Sequence, residues 1–209
     1  MKYPRTYHLP FSKGTTNDDK VLHDLSSLED KEIVVTVKMD GENTTIKRTG
    51  VHARSENSKD HVSRHWIKSL QGRLQYYIPE NIALCGENLY AKHSIHYKNL
   101  LSYFYMFSTW DISHEYCMPW LHTEALALEL DLTLVPTLYS GPFNLDILKD
   151  LTNITRFNGE EVEGFVVRNV DGFHKNEFKY NVVKYVRENH VQTSKHWFYQ
   201  PITKNLLRS

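Results

Sequence analysis

An α+β fold with mixed, mostly antiparallel sheets and flanking helices is what this sequence predicts, on three observations. Short β-branched, aromatic or alternating runs recur from residue 33 to residue 187, as strands do. Two longer stretches, one ending before Pro79 and one opening at Pro119, space their apolar residues as amphipathic helices do. Strands and helices also lack the regular alternation that a parallel, doubly wound sheet requires. The 209 residues, 40% hydrophobic and 24% charged, suffice for a single domain over 1–209. No repeat, low-complexity tract or linker divides it.

Residues 1–31 are polar and turn-rich, with Pro4, Pro10 and Gly14. Val21, Leu22, Leu25 and Leu28 predict a short helix over 18–28 in an arm packed on the domain. Ile33-Val34-Val35-Thr36-Val37 reads as a buried strand; Asp40-Gly41 then turns the chain into a second strand over 43–48, so that Lys38 would sit in the crook of a hairpin. A third strand follows over 51–55, after Thr49-Gly50. Asp60 can cap a helix carrying Val62, Trp66, Leu70, Leu74 and Tyr77 on one side, and Pro79 ends it. Strands are predicted over 82–90 and 103–110, a helix from Pro119 to Leu130, and a strand over 132–139. Asn144 caps a short helix over 145–151. The last strands, 163–169 and 180–187, flank a loop with Asp171-Gly172, and 188–209 form a short extension.

Charge and cysteine content exclude several classes. Lys plus Arg equals Asp plus Glu at 25 each, so the chain has no global basic field and any nucleic-acid contact is local. Met1 to Arg5 lack an apolar signal region, and the longest apolar run, near Leu100 to Phe107, is too short to span a bilayer; a soluble, cytoplasmic monomer is expected. Cys85 and Cys117 build neither a disulfide framework nor a zinc site. His61 with His65, and His93 with His96, lack a third convergent ligand, so solvated or structural roles are expected; His190 and His196 are kept as residues that could touch substrate.

Chemistry-bearing residues recur where apolar strands begin or end. They are Lys38 in Lys-Met-Asp-Gly-Glu-Asn, Arg54 in Ala-Arg-Ser, Glu87 in Cys-Gly-Glu-Asn-Leu-Tyr, Phe107 before Ser-Thr-Trp-Asp, Glu163 in Glu-Gly-Phe-Val-Val-Arg, and Lys184 in Val-Val-Lys-Tyr-Val. Each alone also fits a bland role: a solvated lysine, a surface salt-bridge arginine, a core aromatic, a strand-edge charge. In this order, however, they resemble motifs I, Ia, III, IIIa, IV and V of the covalent nucleotidyltransferase superfamily of polynucleotide ligases and capping enzymes. The resemblance covers about residues 5 to 200. Asn43, where DNA ligases and capping enzymes usually carry arginine, points within it to ATP-dependent RNA ligases similar to RNA ligase 2. The opening Pro4-Arg-Thr-Tyr-His-Leu-Pro and the tail from Lys184 to Thr193 resemble bacterial and phage RNA ligase family proteins.

The resemblance implies an adenylyltransferase domain of the ATP-grasp-like ligase type, without an OB-fold. It implies sealing of 3′-hydroxyl and 5′-phosphate RNA ends through a lysyl-AMP and an RNA 5′-adenylate, with ATP and Mg²⁺ or Mn²⁺. Lys38 is then the nucleophile and Lys184 a second catalytic residue. Asp40, Gly41, Asn43, Arg54, Glu87, Phe107, Glu163 and Lys184 form the ATP site, Glu163 holds metal, and Arg54 and Asn43 meet RNA. Physical chemistry fits these roles. A nucleophilic lysine must be neutral, so its pKa has to be depressed, for which Lys184 and a bound metal are the candidates. Glu87 would accept from ribose hydroxyls, an aromatic of the 103–107 run would stack on the base, and Arg54 would bind a phosphate or the RNA 3′ end. A DNA ligase, a capping-type enzyme or a non-catalytic nucleotide or RNA-end binder remain alternatives. One departure stands out: relatives carry a second lysine where this chain has Val186, and Arg187 beside it faces the opposite way on a strand.

Overall fold

In the computed structural model, which describes residues 1–54, 60–188 and 202–208, the strands form two large sheets and one separate two-stranded pair. The chain begins with β1 (Tyr7–His8), α1 (Ser26–Glu29), β2 (Glu32–Lys38), β3 (Glu42–Lys47) and β4 (Gly50–Ala53). It continues through α2 (His65–Leu74), β5 (Ile82–Asn88), β6 (Phe104–Asp111), β7 (Tyr116–Cys117), α3 (Trp120–Glu129), β8 (Thr133–Leu134) and β9 (Thr137–Pro142). The last elements are α4 (Leu145–Leu151), β10 (Arg156–Phe157), β11 (Glu160–Glu161), β12 (Gly164–Asn169), β13 (Phe173–His174), α5 (Phe178–Asn181) and β14 (Val182–Val186). One sheet has the order β1-β14-β12-β2-β9; the other runs β13-β7-β6-β5-β3-β4, with β8 beside β6. Nearly all pairs are antiparallel, the exceptions being β1 with β14 and β6 with β8.

Side-chain alternation explains how the sheets stack. Ile33, Val35, Phe165, Val167, Val183 and Tyr185 line the outer face of the first sheet, where Leu9, Leu22 and Leu28 of the arm and Leu148 of α4 cover them. Ile46, Leu84, Phe104 and Met106 line the outer face of the second, under Ile67, Leu70 and Leu74 of α2 and Leu126 of α3. The inner faces meet through Cys85, Trp110, Phe173, Phe178 and Val182. No helix among the described residues is long and apolar enough to cross a membrane.

Several local expectations are corrected. Lys38 is not in a hairpin, because β2 pairs with β12 and β9 whereas β3 pairs with β4 and β5. Asp40-Gly41 is instead a corner that hands the chain from one sheet to the other. The Asp40 carboxylate accepts from the amides of Ser94 (2.8 Å) and Ile95 (2.7 Å), and a Cβ on Gly41 would lie 2.6 Å from the Asn88 carbonyl oxygen. The helix expected over 18–28 shrinks to α1, because the arm spends its backbone on the sheet: His8 donates to Lys20 and Leu22 donates to His8. The strand expected over 132–139 breaks at Pro136, which has no N–H, and its halves join different sheets as β8 and β9. Residues 178–181 are helical rather than the start of the final strand. Before α2, His61 rather than Asp60 caps a 3₁₀ turn, Val62–Arg64, and Asp60 accepts from Lys68 at 2.7 Å. Tyr77 and Val62 are exposed, and Ile67 takes their place on the buried face. The Pro119 and Asn144 helix starts are where the sequence puts them. Ser55, the end of the expected third strand, lies outside the described residues.

Gly164 sits in β12 between β14 and β2, opposite both Val186 and Lys38. A Cβ there would be 2.0 Å from the Tyr185 carbonyl oxygen, so Gly164→Ala must push the strands apart. We expect a loss of about 1–3 kcal/mol, read as a lower urea midpoint with an unchanged slope.

Candidate active site

A cleft opens between the inner faces of the two sheets. Thr36 and Lys38 of β2, Val166 and Arg168 of β12, and Lys184 of β14 line one wall; the register Thr36↔Val166↔Lys184 sets them side by side. Asn43 of β3, Glu87 of β5, Phe107 of β6 and Arg54 after β4 line the other, with Asn43 directly opposite Glu87. The arm closes the third side with Tyr3, Arg5, Thr6 and Asp19. The sequence reading treated this arm as packing and missed all four residues, as it missed Arg168. A charged residue at an inward strand position was the available signal for Arg168; the arm gave none.

Glu163 precedes β12 and places Oε2 2.5 Å from Lys38 Nζ. Burial works against the Lys38 ammonium, but Glu163, Glu87 and Asp40 outweigh it and hold its pKa above the ordinary lysine value. This reverses the expected direction: in the free protein Lys38 keeps its proton, and it is Lys184 that falls to about 8, through burial and the Lys38 charge. Burial pushes Glu87 up to about 8. Burial also opposes the Asp19 carboxylate, yet the Thr16 amide and hydroxyl, His8 and Lys184 bring it to about 2. His8, 1% exposed beside Ser12 and Asp19, is lowered to about 4 by burial and Lys184. Arg54, whose Nε reaches the Tyr3 carbonyl at 3.5 Å, is lowered by burial and by neighbouring Arg5.

Of the sequence-predicted set, Lys38, Asn43, Arg54, Glu87, Phe107 and Lys184 line the cleft and Glu163 reaches it through Lys38. Asp40 and Gly41 do not; both are spent on the corner. Among the four aromatics of the 103–107 run, Tyr103, Phe104 and Tyr105 are buried in the core and Phe107 faces the cleft. Arg187 is turned away, donating to the Val162 carbonyl and to Glu161, each at 2.7 Å. Among the described residues no three His, Cys, Asp or Glu cluster to cage a metal. Glu163, flanked by Glu87 across Lys38, suits instead a hard divalent cation that draws its other ligands from water and substrate phosphates. His190 and His196 lie outside the described residues.

The RNA ligase family model matches residues 31–186, from just before β2 to the end of β14, and so takes in both walls of the cleft. The chain belongs to the RNA ligase family. Its fold is similar to that of Naegleria gruberi RNA ligase. A mutant of that enzyme with AMP and Mn superposes with TM-score 0.60 at 19% identity, over 91% of this chain and 59% of that one. A second mutant, with ATP and Mn, gives 0.59 at 18%, over 91% and 59%. The form with PPi gives 0.59 at 19%, over 88% and 57%. This RNA ligase family chain therefore spans about three fifths of the length of those solved chains. No curated protein matches the sequence.

His8 yields a pH prediction. Its folded pKa of about 4 lies below the ordinary 6.5, so between these values the unfolded chain binds the extra proton. The stability His8 contributes is complete above pH 6.5 and is lost as pH falls towards 4, by up to about 3 kcal/mol. His8→Gln should flatten urea midpoints across that window, measured at both ends.

Proposed function

We propose that this chain is the nucleotidyltransferase domain of an ATP-dependent RNA ligase that joins a 3′-hydroxyl to a 5′-phosphate RNA end. One observation carries the reading: Lys38, 2.5 Å from Glu163, stands in a cleft beside Lys184, Glu87 and Phe107, inside the segment that matches the RNA ligase family. The ATP, AMP, PPi and Mn in the Naegleria structures supply a substrate, a transferred group, a leaving group and a metal for the same reaction. We carry over from the sequence a cytoplasmic setting and a monomer.

Lys38 Nζ, once neutral, attacks the α-phosphorus of ATP; the N–P bond forms as the bond to pyrophosphate breaks. The RNA 5′-phosphate then takes AMP from Lys38, and the 3′-hydroxyl displaces AMP to close the phosphodiester. A divalent cation bound at Glu163 would neutralise phosphate charge and compete with Lys38 for that carboxylate. Glu87 accepts from the ribose, Phe107 offers a flat apolar face to the base, and Lys184 offsets charge on the α-phosphate. Arg54 and Arg5, side by side at the outer rim, suit an RNA phosphate.

Incubation with ATP labelled at the α-phosphate, followed by a denaturing gel, tests the reading. Wild type should retain label and Lys38→Ala none; absence of label at any pH would sink the proposal, and label from GTP alone would favour a capping-type enzyme. Because Lys38 holds its proton in the free protein, labelling should quicken as pH rises from about 6 to 8. Arg54→Ala should leave labelling nearly intact while weakening RNA binding and sealing about tenfold, in a gel-shift and a ligation assay.

A further inference from the structure

Arg168 is a charged group of the cleft wall to which the reaction above gives no role. It is 3% exposed, and its Nε and Nη1 have no hydrogen-bond partner. The acidic groups facing it are the Tyr3 phenol and the Cys117 and Cys85 thiols. Burial pushes them up to about 12, 12 and 11, so none is ionised near neutral pH. The guanidinium is thus a buried cation with no counter-ion among these neighbours, a costly arrangement for a folded protein. Its place is informative. Arg168 pairs with Val34 and Gly164 with Lys38, so it stands four residues along β2 from the nucleophile, about 13 Å at the strand rise. Its guanidinium carbon is 5.9 Å from the centre of the Phe107 ring, which lines the same cleft.

We propose that Arg168 reads the base of the bound nucleotide, donating its free N–H groups to ring-nitrogen acceptors on the edge of a purine held against Phe107. The inference rests on the nucleotide reading of the cleft and adds to it the residue that selects the base. A phosphate cannot be the partner while its α-phosphorus is at Lys38, because Arg168 lies at the opposite end of the wall. The base offers uncharged acceptors to the two nitrogens, Nε and Nη1, that have no protein partner, and leaving a buried donor unmade is expensive enough to reject a base that lacks them.

The test compares wild type, R168M and R168K by calorimetric titration with AMP and its 1-deaza, 3-deaza and 7-deaza analogues, by KM and kcat for lysyl-adenylate formation, and by thermal melting. R168M should bind AMP about tenfold more weakly and raise KM for ATP by a similar factor, with kcat changed less than about threefold. It should melt no lower than wild type, since a buried unpaired charge is removed. One deaza analogue should bind wild type about tenfold more weakly than AMP and show no such penalty on R168M, with R168K between the two. Normal AMP binding by R168M overturns the proposal. So does an R168M that melts lower and weakens every analogue alike, which is a packing role, or a set of deaza penalties that persists unchanged in R168M. Calorimetry needs no chemistry: a wild type that binds AMP but never forms the covalent adduct defeats the ligase reading while still testing Arg168, and one that does not bind AMP defeats both.

Discussion

The contact between Lys38 Nζ and Glu163 Oε2, across the point where β2 leaves one sheet for the other, is the interaction on which the cleft depends. Backbone register puts the two residues there. Lys38 pairs with Gly164, the residue after Glu163, and Gly164 lets the Tyr185 carbonyl approach to a distance no side chain would tolerate. Two residues beyond Lys38 the chain turns the Asp40 corner, fixed by the amides of Ser94 and Ile95, and enters β3, which delivers Asn43 opposite Glu87. A missing Cβ and a carboxylate held by two backbone amides therefore position groups on both walls.

Charge in the cleft is arranged as a sequence of unequal pairs. Lys38 is surrounded by Glu163, Glu87 and Asp40 and keeps its proton, whereas Lys184, next to Lys38 and partly buried, is near the point of losing its own. Arg54 and Arg5 crowd each other at the rim, and Arg168 stands beside the uncharged Tyr3 phenol and Cys117 and Cys85 thiols. Such a distribution is poor for folding and would suit the polyanion with a polar base proposed for the cleft, which would bring these cations further partners. The free protein holds this strain because the two outer faces, packed on the arm and α4 and on α2 and α3, supply apolar burial independent of the cleft.

How much of this was legible in the sequence follows from how local each signal is. Strand-end positions of Lys38, Glu87, Phe107, Glu163 and Lys184 could be read because apolar runs mark strands and a polar residue at their ends is conspicuous. The Pro119 and Asn144 helix starts are equally local. Asp40-Gly41 misled because a turn signal says that the chain reverses, not which strand it pairs with next; β3 pairs not with β2 but with β4 and with β5, some forty residues on. The arm's share of the site was invisible for the same reason. His8 pairs with Lys184, across nearly the whole chain, and only that parallel pairing carries Tyr3, Arg5 and Asp19 to the cleft.

That pairing also gives the Val186 departure a structural setting. Residue 186 shares its strand face with Lys184, so a lysine there would ordinarily reach the same cleft. Here the Ser12 hydroxyl accepts from the Val186 amide at 3.0 Å and the Gly14 amide donates to its carbonyl at 2.8 Å, which seals the position beneath the arm. A Cβ on Gly14 would meet Val186 Cγ1 at 2.7 Å, so the glycine and the valine are fitted to each other, and a longer side chain at 186 would have to lift the arm away. Lifting it would also remove Arg5 and Asp19, the second of which holds the charge on Lys184. The lost lysine and the covering arm are thus two sides of one exchange: a cation on β14 is given up, and the segment that takes its place brings an arginine and a carboxylate to the cleft wall.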